Sequence, residues 1–136
     1  MTRQQIFISP TFFSSPTSVD SLSASFSLTV VKAAGWAPFG ERWADAGYAS
    51  LILDFRCFGD SDGEPRNLVV IEKQVEDYRS VIAWARDHPG IFKTDKIVVM
   101  GSASSGLVAA TIAVEDPSIA GMMAHCPLLD GMYLPD

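Results

Sequence analysis

The sequence is poor in what a metal centre, a nucleic-acid surface or a membrane span requires. It holds two cysteines, Cys57 and Cys126, and their spacing fits no metal-ligand pattern. Two thiols in a chain of 136 residues fit a reducing compartment. Ten Lys and Arg stand against sixteen Asp and Glu, a net charge of −6. Nucleic acids and anionic membrane surfaces are met by clustered Lys and Arg, so neither is an expected partner. No apolar run approaches the roughly 20 residues of a membrane-spanning helix. Arg3 is followed by no sustained apolar stretch, which predicts no signal peptide and a cytoplasmic location. No internal repeat or linker divides the chain.

What remains is a composition 48% hydrophobic, enough for one modest globular domain. The stretch from Asp95 to Gly106 organises it. Ile97-Val98-Val99-Met100 is an uninterrupted apolar run and reads as a strand of a parallel sheet, buried on both faces. Small residues follow from Gly101 to Gly106, and then an Ala-rich helical stretch. Strand, tight turn of small residues and helix is the setting of a nucleophile elbow. Such a turn holds one side chain at the C-terminal edge of the sheet, beside helix N–H groups that can hold an oxyanion. The small-x-nucleophile-x-small pattern fits in two registers. With Gly101 opening the turn, the tip is Ala103, which carries no nucleophile. With Ser102 opening it, the tip is Ser104 and Gly106 closes the turn. The first register is favoured because it follows directly from the strand end at Met100. A helix-opening turn with serine caps would explain Ser102 and Ser104 without any chemistry.

The rest of the chain supplies the frame. Residues 1–25, rich in Ser and Thr, show no useful periodicity and are expected to form a poorly ordered arm, leaving residues 26–136 as the domain. Phe26 to Val31 alternates and fits an edge strand. Pro38 to Ala46 reads as a short helix ended by Gly47, and Leu51-Ile52-Leu53 as a buried strand. A loop dense in turn residues runs from Asp54 to Pro65, where Arg56, Asp60 and Asp62 are expected to hold the loop rather than do chemistry. Ile71 to Arg86 is the clearest helix, with Ile71, Val75, Tyr78, Ile82 and Ala85 on one face. His88-Pro89-Gly90 stops it. After the turn come a helix from about Ser105 to Val114, a strand from Ile119 to Ala124 and a loop from Pro127 to Asp136. This order predicts a three-layer α/β sandwich with a mostly parallel sheet and right-handed crossovers. Leu51–Leu53, Ile97–Met100 and Gly121–Ala124 are expected as neighbouring parallel strands.

Three segments together resemble the α/β-hydrolase superfamily: Phe39 to Tyr48, Asp54 to Pro65 and the Gly101–Gly106 turn. The flavour is similar to the dienelactone-hydrolase and serine-aminopeptidase-like branch. Asp116 to Gly131, with His125-Cys126-Pro127 and Leu129-Asp130-Gly131, resembles fungal members linked to polyketide and toxin biosynthesis. The resemblance spans about Val31 to Gly131 and implies a partial α/β-hydrolase fold. It also implies a hydrolase or acyltransferase that works on esters or thioesters of a small, polyketide-like acyl substrate, without cofactor or metal. The sequence departs from the family pattern in three ways. Phe26-Ser27-Leu28-Thr29 stands where members carry a His-Gly oxyanion loop. The later strands that carry the triad acid and the triad histidine are not matched. The favoured elbow tip is alanine.

The candidate catalytic residues are Ser104 and His125. His88 precedes the central strand and falls at the opposite edge of the sheet. His125 follows the next strand, on the elbow side, and is the histidine able to serve Ser104 as base. Asp54 and Asp130 also fall at that edge and can orient it. Two functions therefore stand open: an acyl-transfer enzyme, or a catalytically inactive, truncated remnant without serine-hydrolase turnover.

Overall fold

The structure, a computed structural model, describes residues 6–8, 22–24, 31, 35–89, 92 and 95–129. In chain order the elements are β1 (Ile6–Ile8), β2 (Leu22–Ala24), α1 (Ala37–Asp45), β3 (Ala49–Leu53), α2 (Ile71–Arg86), β4 (Ile97–Ser102), α3 (Ser104–Glu115) and β5 (Ile119–His125). The strands form one sheet in the order β1-β3-β2-β4-β5. β1 runs antiparallel to β3, and the remaining neighbours are parallel.

Two features differ from expectation. β1 and β2 lie within the stretch expected to be a poorly ordered arm. Also, β3 and β4 are not neighbours, because β2 pairs with both, Ala24 meeting Leu51 on one side and Val99 on the other. Leu22-Ser23-Ala24 has little intrinsic strand preference. A three-residue segment with a ladder on each side is held by its neighbours rather than by its own composition. The predicted edge strand at residues 26–31 lies outside the described residues except for Val31, which packs against the core.

The crossovers decide the layers. The step from β2 to β3 moves one way across the sheet, and the steps from β3 to β4 and from β4 to β5 move the other way. Right-handed connections then put α1 on one face and α2 and α3 on the other. Side-chain alternation agrees. Ala49, Leu51 and Leu53 join Ile97 and Val99 in a core with Val75, Tyr78, Val81, Ile82 and Ala85 of α2 and Val108, Ala109 and Ile112 of α3. Ser50 and Ile52 point the other way, to α1. A Cβ placed on Gly40 of α1 would lie 3.2 Å from Ser50 Oγ and 3.3 Å from Ile52 Cδ1, so a side chain here would have to push these neighbours aside. The predicted stripe on α2 is buried as expected, with Ile71 at its margin.

α1 starts with Pro38 in its first turn, where a missing N–H costs nothing, and its chain reverses at Gly47, φ 87°. α2 ends in an aromatic knot: Trp84 packs on His88, with ring centroids 4.3 Å apart, and on Phe92 at 5.6 Å. β4 is less enclosed than expected. Ile97 and Val99 are buried, whereas Val98 and Met100, on the α1 face, are half-buried. β5 lies at the margin of the sheet, and Met122 and Met123 are exposed. No helix among the described residues is long and apolar enough to cross a membrane.

The crossover directions also locate a site. β2 and β4 lie side by side, and the next helices in the chain, α1 and α3, lie on opposite faces of the sheet, which makes this a topological switch point. In open α/β sheets that switch point is where ligands bind. It is also where β4 runs into α3.

Candidate functional site

β4 extends through Gly101 and Ser102, two residues beyond its apolar run. Ala103 then turns the chain with φ 54° and ψ −127°, and α3 begins at Ser104. That pair of angles lies outside the compact left-handed well that Asn and Asp enter, in territory strained for any residue with a Cβ. The turn is tight enough to dictate its neighbours. A Cβ on Gly101 would fall 2.1 Å from the carbonyl oxygen of Ser105, and one on Gly106 would fall 2.6 Å from Cβ of Pro127. Ser105 braces the inside of the turn, its hydroxyl donating to the Ser102 carbonyl at 2.7 Å and accepting from the Ser102 N–H at 2.9 Å. The geometry therefore selects the register that opens at Gly101 and closes at Ser105, with Ala103 at the tip.

The exit of β5 is clamped to that tip. Ala103 N–H donates to the His125 carbonyl at 3.1 Å, and Leu128 N–H donates to the Ala103 carbonyl at 3.0 Å. These bonds bring His125 to the elbow, on the sheet edge expected for it. Its side chain is exposed, and Nδ1 lies 3.2 Å from Ser102 Oγ. Ser102 and His125 are register partners on adjacent parallel strands, so their side chains leave the same face of the sheet. Ser104 is placed differently. It opens the first turn of α3, is 9% exposed, and its hydroxyl has no hydrogen-bond partner. The structure thus brings His125 together with Ser102, and shows no hydrogen bond between His125 and Ser104.

The remaining candidates hold the frame. Asp54 is buried just beyond β3; its carboxylate accepts from Asp60 N–H at 3.0 Å and its carbonyl accepts from Ser61 Oγ at 2.6 Å, which folds the following loop over it. Asp130 lies outside the described residues. Arg56 is tied to Asp77 of α2: Arg56 Nε donates to Oδ1 at 2.6 Å and the Arg56 backbone N–H donates to Oδ2 at 2.8 Å. The bond to Asp77 raises the guanidinium above its ordinary pKa. Asp62 offers its carbonyl to Cys57 N–H at 2.9 Å. His88 sits at the end of α2, its Nδ1 2.7 Å from the Trp84 carbonyl. Beneath the elbow, the buried Tyr78 hydroxyl donates to the Met100 carbonyl, and burial pushes its pKa well above the usual phenol range.

Sequence reasoning missed Ser102 as the partner of His125. The signal lay in strand register. Ile97 faces Ile119, but an irregularity between Ile97 and Val98 shifts the pairing by one, so Val98 faces Gly121 and Ser102 faces His125. Without that shift Ser102 would face Ala124, and a one-residue slip reverses every side chain.

A mostly parallel sheet with a strained strand–turn–helix at its switch point defines an α/β-hydrolase-type protein. The model of the X-Pro dipeptidyl-peptidase (S15) family matches residues 10–133, and the chain belongs to that family. Over 68% of its length it is 39% identical to the quorum-quenching protein AidA of Acinetobacter baumannii, of which it covers 30%. Over 72% it is 34% identical to the thiohydrolase aneE of Aspergillus aculeatus, again covering 30%. Over 70% it is 31% identical to the polyketide transferase grgF of a Penicillium species, covering 32%. The chain therefore spans about a third of the length of these curated relatives. The crystal structure of the α/β hydrolase GrgF from Penicillium superposes with a TM-score of 0.80 at 24% identity, covering 96% of this chain and 47% of that one. The expected resemblance to the α/β hydrolases, and among them to fungal polyketide proteins, is borne out.

Proposed function

We propose that the chain carries the elbow portion of an acyl-transfer site, one that hydrolyses or transfers an ester- or thioester-linked, polyketide-like acyl group in secondary metabolism, including toxin biosynthesis. The observation that carries this reading is the Ala103 turn at the head of α3, held open at the sheet's switch point by the β5 exit. A strained turn at that place aims backbone N–H groups at a carbonyl oxygen as it gains charge. Two relatives with the printed names thiohydrolase and polyketide transferase support the substrate class. The chemistry needs neither cofactor nor metal. The partner is a small acyl substrate rather than nucleic acid or membrane. The cytoplasm is the proposed location, on the strength of the free thiols Cys57 and Cys126.

A second reading, an inactive member of the family, is favoured by one residue: Ala103 puts a methyl group where an attacking hydroxyl or thiol would stand. The test is incubation of the chain with p-nitrophenyl and N-acetylcysteamine acyl esters, with turnover and saturable binding read separately. Turnover supports the enzyme. Binding without turnover supports an acyl-binding protein that has lost the reaction. Neither binding nor turnover overturns the acyl-site reading.

A further inference from the structure

Resting on the acyl-site reading, we propose that Ser102 and His125 form a catalytic pair one residue behind the empty elbow tip, with Ser102 as the acyl-accepting nucleophile and His125 as its base. Four observations carry it. Ser102 Oγ and His125 Nδ1 stand 3.2 Å apart, within the reach expected of a nucleophile and base without substrate. They are the last residues of adjacent parallel strands, so the β4–β5 ladder fixes their spacing. His125 is exposed and Ser102 half-buried, which leaves the pair open to a substrate. The Ala103 N–H and carbonyl hold both sides of the β5 exit and so limit the drift of the imidazole.

Ser102 also stands two residues before α3, whose first-turn N–H groups have no carbonyl within the helix to bond. The Ser104 hydroxyl, at the same helix head, is buried and without a partner. Exposed Leu128 and Leu129, on the clamped segment beside Ala103, offer an apolar wall to the acyl chain.

The steps follow from these positions. Neutral His125, with its proton on Nε2, turns the Nδ1 lone pair to Ser102. Ser102 Oγ attacks the acyl carbon as its proton passes to Nδ1, and the carbonyl π pair moves onto the oxygen as the oxyanion. Collapse restores the carbonyl, breaks the carbon–sulfur bond of the thioester, and the departing thiolate takes the proton from His125. Water or an acceptor alcohol then attacks acyl-Ser102, gives its proton to His125, and Ser102 Oγ leaves with that proton.

The test treats the chain with a fluorophosphonate and, separately, with octanoyl-N-acetylcysteamine, and maps the adduct by peptide mass spectrometry. Binding of the thioester is followed in parallel by tryptophan fluorescence. The expected adduct lies on Ser102, disappears in Ser102→Ala and persists in Ser104→Ala. In His125→Ala and His125→Asn its rate falls by about 100-fold or more, the usual scale for loss of a positioned base. Ser102→Cys keeps a thioester-derived adduct at position 102, which separates loss of the nucleophile from loss of the fold. Circular dichroism checks each variant. An adduct on Ser104, or labelling of Ser102 that is indifferent to His125, overturns the pair. Saturable thioester binding without any adduct overturns the pair and leaves the acyl site standing. No binding and no adduct overturns both.

Discussion

Replacing Ala103 with glycine is expected to stabilise the protein, the reverse of what this substitution does almost anywhere else. Ala103 is held at φ 54° and ψ −127°, where its Cβ crowds the backbone. Strain of this kind costs about 1–3 kcal/mol when the surrounding fold enforces it. Glycine releases that strain. Against it stand about 0.4–1 kcal/mol of extra unfolded-chain freedom and about 0.4 kcal/mol for loss of half-buried methyl surface. The balance is a gain of about 1 kcal/mol. In a chain of this size that raises Tm by about 4 °C. Urea unfolding supplies the assay, with the midpoint expected to rise at constant slope. Ala110→Gly, in the middle of α3, is the control and is expected to lose about 1 kcal/mol. Equal destabilisation by both substitutions would refute the strained-elbow reasoning.

The other predictions concern what holds the elbow in place. Asp77→Ala removes the buried partner of the Arg56 guanidinium and leaves it the exposed Glu76 alone, at an expected cost of about 2 kcal/mol, the scale of lost hydrogen bonds to a charged group; urea unfolding measures it. Tyr78→Phe removes the hydroxyl that donates to the Met100 carbonyl, with an expected loss of about 1 kcal/mol near neutral pH. Because burial raises the phenol pKa in the folded state, its contribution is complete below the unfolded value of about 10 and declines as pH rises above it. The wild type should therefore lose stability above about pH 10 more steeply than Tyr78→Phe does. Gly101→Ala drives a methyl group into the Ser105 carbonyl and should abolish the turn, seen as loss of cooperative unfolding in denaturant.

Much of this was legible in the residues. The α2 stripe, the apolar run of β4 and the Gly/Pro punctuation after α2 each carry their own signal, and α2 forms over the expected residues. The elbow register was legible too, because Gly101 follows the strand directly and Ala103 then falls at the tip. β2 was not legible. Leu22-Ser23-Ala24 has no strand signature, and only its place between two ladders makes it a strand. Its insertion is what separates β3 from β4. The pairing of Ser102 with His125 was hidden for a related reason. It depends on a one-residue irregularity at Ile97/Val98, and register between strands more than twenty residues apart is set by packing, which no local pattern records. His125 could still be placed at the correct edge, because the direction of a parallel strand alone decides at which end its last residue lies.

The most direct measurement is the reactivity of a thiol placed at the elbow tip. In Ala103→Cys, with Cys126→Ser to remove the exposed native thiol and Cys57 left buried, the rate of iodoacetamide modification is followed against pH. A tip aimed out of the sheet beside the head of α3 predicts a reactive thiol with its pKa drawn below the free value of about 8.5. A thiol at position 103 that is slow to react, with a pKa at or above about 8.5, would contradict the account.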